Sequence, residues 1–333
     1  VEFWNRTELY AALGWDRYYD DRFFGKEDAV FFGASDDVLY RKTAEELERA
    51  HREGKPFYAQ VVSMTAHHPF TLPKDKISLD LSDKYSGTFV GDYLQAQHYA
   101  DEALGRFIAD LKARGVWQDS LIVLYGDHVG LPVYSLNNRE QELLAELIGH
   151  EYGYADMINV PLIMLSDGAL YPKRFEGRLG GQVDILPTIA GLMDIPLIGY
   201  IHFGQNLLVE QDNLLPQRYY LPSGTLITGK SLFIPGEGYA DGTLYPLSGE
   251  PGDESVVTED AFERALRLLQ LSHSYVRQLP ERSPDEAPQA MLPEPDDEAE
   301  TEKTAKTEPD DAPPVEDADD AAEHETEGEE AES

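Results

Sequence analysis

Short apolar runs separated by stretches of helical period set most of what residues 57–195 can form. "FYAQVVSM" (57–64), "SLIVLYG" (120–126) and "NVPLIMLS" (159–166) are rich in β-branched and aromatic residues and bounded by turn formers, so each reads as a strand. Between Val90 and Leu111 a stripe runs through Tyr93, Leu94, Gln97, Ala100, Leu104, Phe107, Ile108 and Leu111, which predicts a helix of some six turns. "NREQELLAELIG" (138–149) predicts another, with Gly149 placed to end it. "QVDILPTIAGLMDI" (182–195) predicts a third, with Pro187 in its first turn or two. Helices alternating with apolar strands predict an α/β sheet covered on both faces. From residue 215 the character changes. Residues 218–247 carry the Gly-punctuated alternation of antiparallel hairpins, and 258–279 reads as a closing amphipathic helix before Pro280. The expected architecture is one α/β domain over residues 1–280 with a small C-terminal antiparallel β subregion.

The formal charge of −36 is unevenly spread: residues 281–333 hold 22 acidic and 3 basic side chains. That segment is rich in Pro, Ala, Glu and Asp and nearly lacks large apolar residues. It cannot bury enough surface to offset chain entropy, which predicts a disordered acidic tail over 281–333. No basic stripe offsets phosphate repulsion, so nucleic acid is excluded as a partner. The absence of cysteine removes disulfides and thiolate metal sites. No apolar run approaches the roughly 20 residues that span a bilayer. The chain opens on Val1 in mid-pattern, which predicts a portion of a longer protein.

In α/β sheets, ligands gather at the carboxyl ends of strands. Asp127 and His128 follow the run 120–126, and His67 and His68 follow 57–64. A carboxylate beside an imidazole suits a divalent cation such as Mn, Mg or Zn, although an Asp that merely caps a turn accounts for the dipeptide as well. Trp4 and Arg6 in "FWNRTELY" (3–10) would share one side of an extended segment. Arg6 could grip a phosphate bidentately against an apolar wall at Trp4, or simply pair with Glu8.

Taken together, "FWNRTELY", "KPFYAQVVSMTAHHPF", "DEALGRFIADLKARGVWQDSLIVLYGDHVG", "VPLIM", "GQVDILPTIAGLMDI" and "HFGQNLL" resemble, in order and spacing, the lipoteichoic acid synthase family. These are glycerol-phosphate transferases of the sulfatase and alkaline-phosphatase-like superfamily. The resemblance covers nearly all of residues 1–280 and implies a sulfatase-like central sheet flanked by helices. It implies an enzyme at the cell membrane with its catalytic domain outside, anchored by N-terminal helices absent from this sequence. It further implies transfer of glycerol phosphate from phosphatidylglycerol to a polyglycerolphosphate glycolipid acceptor by a metal-activated Thr. Mn2+ is the implied cation, with Mg2+ or Zn2+ as alternatives.

Carried over by motif, Asp127 and His128 match metal ligands, and His67 matches an active-site His that contacts the substrate phosphate or serves as acid/base. Trp4 and Arg6 match the lining of the glycerol-phosphate pocket. His68 stands where the family usually has an aromatic. The family's Thr nucleophile and a further Glu ligand match nothing here, and Val129 replaces a Tyr often found after Gly-Asp-His. The resemblance therefore implies half a metal site and no turnover by this chain alone. A phosphodiesterase or sulfatase-like hydrolase, and a non-catalytic regulatory paralogue, are the alternative readings.

Overall fold

The computed structural model describes residues 6–31, 33–168, 173–175, 178–210, 212–247, 257–279 and 289–291, with backbone alone at 7, 8, 11, 12 and 289–291. Helix α1 (Arg6–Leu13) leads through β1 (Arg17–Tyr19) and α2 (Asp21–Phe24) to the short antiparallel pair β2 (Ala29–Val30) and β3 (Gly33–Ala34). Two long helices follow, α3 (Asp36–Arg52) and α4 (Phe89–Ala113), then β4 (Leu121–Tyr125), α5 (Asn138–Ile148), α6 (Tyr154–Met157), β5 (Leu162–Ser166) and α7 (Ile185–Leu192). The C-terminal part holds β6 (Leu214–Gln217), β7 (Thr225–Thr228), β8 (Ser231–Ile234), β9 (Thr243–Pro246) and α8 (Glu259–Val276), with β10 (Gln289–Met291) beyond it.

The two long helices pack together around Ala44, Phe107, Leu111 and Val116, with the Tyr40 ring stacked on Phe107 at 4.8 Å between centroids. The buried face of α4 runs through Ala96, Tyr99, Ala103, Phe107 and Leu111. That differs in phase from the expected stripe: Gln97 is exposed, while Leu94, Ala100 and Leu104 lie half-buried. Two small alanines, fully buried on this face, allow close packing that a count of large apolar residues misses. The other end of α4 belongs to a second cluster that includes Phe70, Tyr85, Val90, Leu131, Leu143 and Leu144. Here α5 begins in a capping box between Asn137 and Glu140, and the same Glu140 also accepts the Phe89 amide at 2.9 Å. One buried carboxylate thus fixes the starts of two helices. Gly149 closes α5 in the left-handed region at φ 84°, as expected, and Pro187 falls in the first turn of α7.

One expectation for the sheet is corrected. Residues 57–64 join no strand ladder among the described residues, and Phe57, Tyr58, Val61 and Val62 are exposed there. Their β-branched and aromatic composition is suited to a sheet, but the described chain brings no backbone alongside to hydrogen-bond it. Strands β4 and β5 pair antiparallel, from Leu121↔Ser166 to Tyr125↔Leu162. The connecting residues bring the chain back at the end it left, so Gly126 N donates to Pro161 O at 3.1 Å.

The C-terminal sheet is antiparallel in the order β6-β7-β8-β9, as the alternation predicted. A two-residue loop, Gly229-Lys230, joins β7 to β8, with Gly229 at φ 56°. Helix α8, capped by Thr258 on Ala261 N, covers this sheet through Phe262 and Ala265 against Leu226 and Phe233. Within the span expected as tail, Gln289–Met291 form β10, which pairs parallel with β1 from Arg17↔Gln289 to Tyr19↔Met291. Residues 281–288 and 292–333 lie outside the described residues.

Asp184, 1% exposed, accepts from Gly181 N, Gln205 N and Asn213 Nδ2 at 2.8–2.9 Å, and so ties the start of α7 to the chain entering β6. Asp184→Ala takes the acceptor from three part-buried donors, Asn213 Nδ2 keeping only the Leu179 carbonyl at 3.4 Å, and is expected to cost about 3 kcal/mol, measured by urea unfolding. At Gly126 an added Cβ would lie 2.7 Å from the Val160 Cβ, an atom with no rotamer of its own to escape into. Gly126→Ala is expected to cost roughly 1–3 kcal/mol and lower the melting temperature by several degrees. An unchanged melting temperature would show that the strand ends separate freely.

Candidate active site

Strand β4 leads through Gly126 directly into Asp127 and His128, and the backbone there is held from two sides. Gly130 N donates to Met157 O at 2.8 Å, and Gln182 Nε2 donates to the carbonyls of Gly126 at 3.1 Å and Asp127 at 3.3 Å. Both side chains face solvent, Asp127 at 71% and His128 at 52% exposure, with Nε2 of His128 3.6 Å from Oδ1 of Asp127. The His128 Nδ1 lies 2.9 Å from the Val129 carbonyl. A carbonyl only accepts, so Nδ1 is a donor, and Nε2 is the nitrogen on the carboxylate side.

His67 arrives from a different part of the chain. A turn closes on it, with His67 N donating to Met64 O at 3.1 Å and Phe70 N to His67 O at 2.9 Å. Its Nδ1 likewise sits 2.8 Å from a backbone carbonyl, that of His68, which leaves Nε2 as the outward nitrogen. The His67 and His128 rings lie 6.2 Å apart, edge to face. His68 turns elsewhere: its ring packs on Phe70 and Phe89 at 5.9 and 5.6 Å, and Phe70 packs in turn on Phe89 and Tyr93. It stands in an aromatic cluster, among the partners an aromatic residue would have.

The structure therefore brings together His67, Asp127 and His128. Arg6 opens α1, and the following turn is tied to the segment leading into His67 by Trp15 against Tyr58, 5.2 Å between ring centroids. Trp4 lies outside the described residues. A carboxylate and an imidazole are the right kinds of donor for Mn2+ or Zn2+. They cover two of the four to six positions such an ion takes. No group of three or more acidic, His or Cys side chains suited to a metal occurs among the described residues. Sequence reading missed Gln182, whose amide steadies the Gly126–Asp127 carbonyls. Its only sequence signal is a polar residue just ahead of a helix, which is too common to single out.

Residues 1–195 match the Sulfatase family. The lipoteichoic acid synthase of Staphylococcus aureus is 30% identical over 254 residues, which cover 75% of this chain and 38% of that protein. The chain thus spans less than two fifths of the length of this relative. The crystal structure of the lipoteichoic acid synthase LtaP from Listeria monocytogenes superposes with a TM-score of 0.76 at 35% identity, covering 85% of this chain and 69% of that one. A protein of the alkaline phosphatase superfamily from Vibrio parahaemolyticus shares the fold at a TM-score of 0.54 and 21% identity, over 84% of this chain and 69% of that one. The fold is alkaline-phosphatase-like, and the chain belongs to the sulfatase family and, within it, to the lipoteichoic acid synthases.

Proposed function

We propose that this chain is part of the catalytic domain of an enzyme of lipoteichoic acid synthesis that moves glycerol phosphate from phosphatidylglycerol to a polyglycerolphosphate glycolipid. The observation that carries the reading is the meeting of His67 with the Asp127–His128 pair, in a chain 35% identical to a lipoteichoic acid synthase of known structure. Asp127 and His128 hold a divalent cation, Mn2+ in the first place, with Mg2+ or Zn2+ as alternatives. When bound, such a cation makes a hydroxyl acidic enough to attack near neutral pH and offsets phosphoryl charge. The nucleophile is a Thr from the part of the fold that this chain does not span. Its oxygen bonds to phosphorus as the bond to the diacylglycerol oxygen breaks.

The chain's own residues do the remaining work. With Nδ1 donating to the His68 carbonyl, His67 in its imidazolium form gives the Nε2 proton to the departing diacylglycerol oxygen. It takes one back from the acceptor hydroxyl in the second half of the cycle, when the Thr oxygen leaves. Arg6 grips the phosphate oxygens and Trp4 walls the glycerol side. Among the described residues no helix is long and apolar enough to cross a membrane. The proposed setting is the outer side of the cell membrane, reached through an anchor elsewhere in the protein.

A phosphodiesterase or sulfatase-like hydrolase is the second reading, favoured by the sulfatase match. A protein that spans the whole catalytic domain, given labelled phosphatidylglycerol and Mn2+, is expected to release diacylglycerol and extend the acceptor. Free glycerol phosphate with no acceptor product would favour the hydrolase, and no reaction a non-catalytic paralogue. In that assay Asp127→Ala is expected to lower the Mn2+-dependent rate by at least 100-fold, and retained activity would remove Asp127 from the metal site. His67→Gln keeps size and polarity but not the proton transfer, so kcat is expected to fall about 10²–10⁴-fold with KM little changed.

A further inference from the structure

Asp36 is the first residue of α3 and has no exposed surface. A first-turn Asp usually faces water, where it complements the helix dipole. Here the capping task falls to Ser35, whose Oγ accepts from Val38 N, and the Asp36 carboxylate turns toward a segment 28 residues further on. Its Oδ1 accepts from Met64 N at 3.0 Å and Thr65 N at 3.1 Å, while Thr65 Oγ1 accepts from Asp36 N at 2.9 Å. Thr65 is itself buried. Oδ2 is enclosed with no protein partner, so the carboxylate's contacts with protein donors are made at Oδ1. Tyr40, one turn on, reaches Ser63 of the same segment, and burial followed by the charge of Asp36 pushes its hydroxyl up to about 12.

The held residues lead straight to the site. Met64, gripped at its N–H by Asp36, offers its carbonyl to His67 N at 3.1 Å. A relay of two hydrogen bonds therefore runs from the buried carboxylate to the backbone of His67. The stretch just before it, residues 57–62, is exposed and joins no strand ladder among the described residues, so it supplies no sheet to hold the turn.

We infer that Asp36 is a positioning residue: its buried carboxylate anchors the Met64–Thr65 backbone and through it holds His67 opposite His128. The catalytic meaning of that position rests on the transferase reading, whereas the anchoring itself does not. One oxygen accepting two amides is the essential part, so Asn at this position preserves the anchor and Ala removes it.

The test uses the full chain, with amide hydrogen exchange and ring signals of His67 followed by NMR in wild type, Asp36→Asn and Asp36→Ala. In Asp36→Ala the Thr65 and His67 amides are expected to exchange at least tenfold faster, with Ala103 and Phe107 in α4 unchanged and Asp36→Asn within threefold of wild type. If Asp36→Ala does not fold, Thr65→Val removes the reciprocal bond and is expected to raise exchange at His67 in the same selective way. Unchanged exchange at His67 would overturn the inference. So would a uniform rise across α3 and α4, or an Asn variant as perturbed as Ala. In a second arm, glycerol phosphate is titrated against the His67 ring signal. Its Kd is expected to rise at least tenfold in Asp36→Ala and to recover in Asp36→Asn. If wild type shows no response to glycerol phosphate, exchange alone decides the anchoring, and the transferase reading is decided by the assay on the whole catalytic domain.

Discussion

Everything at the candidate site depends on how closely the ends of β4 and β5 approach each other. Gly126 hydrogen-bonds Pro161 across the pair and leaves no room for a side chain against Val160. That contact terminates the ladder at one residue and turns the next two, Asp127 and His128, outward. Gly130 then returns to Met157, so the excursion between them is fixed at both ends. A polar pair with roughly half or more of its side-chain surface in water has little packing of its own to hold it. Its geometry is borrowed from backbone bonds on either side and from Gln182 above the two carbonyls. On the opposite wall His67 is held by the same means, a turn whose bonds run through the main chain. Catalytic geometry on loops generally requires this kind of support from rigid elements.

The parts of the fold that were legible in the sequence are those where local chemistry decides the outcome. Gly149 closes α5 because only a residue tolerant of positive φ fits there, and the Gly229-Lys230 loop follows from hairpin twist. The long helix α4 was legible as a helix but not in its buried phase, because alanines 96 and 103 carry no size signal and Gln97 interrupts nothing once it faces water. The run 57–64 shows the limit from the other side. Its composition states what the residues tolerate, whereas a strand also requires a neighbour, which composition does not supply. The antiparallel sense of β4 and β5 is equally hidden, since direction is set by the path of the residues between them.

For the candidate site, residue type was informative and connection was not. Asp127, His128 and His67 could be picked out because each is a costly polar group at the end of an apolar run. His68 looked equivalent to His67 by that criterion, yet the fold sends one ring toward His128 and the other into Phe70 and Phe89. Asp36 and Gln182 were invisible for a simpler reason. An acid in the first turn of a helix and an amide before another are ordinary by composition, and only the pairing with Met64, Thr65 and the Gly126 carbonyl sets them apart.

The charge of the chain sharpens what the site must supply. At −36 the chain repels phosphodiesters and anionic lipid alike, so long-range steering would not bring an anionic ligand in. Screening limits that repulsion to about 8 Å at physiological salt, so the balance at the site is decided by the nearest few groups. There Asp127 adds a further negative charge beside His128. A phosphate anion brought next to a bare Asp127 would meet repulsion with little screening between them. A cation held on Asp127 and the Nε2 of His128 reverses that sign at the point of contact. On the proposed function, the carboxylate that opposes an anion alone would draw the cation in, so metal and phosphate binding would be coupled rather than independent.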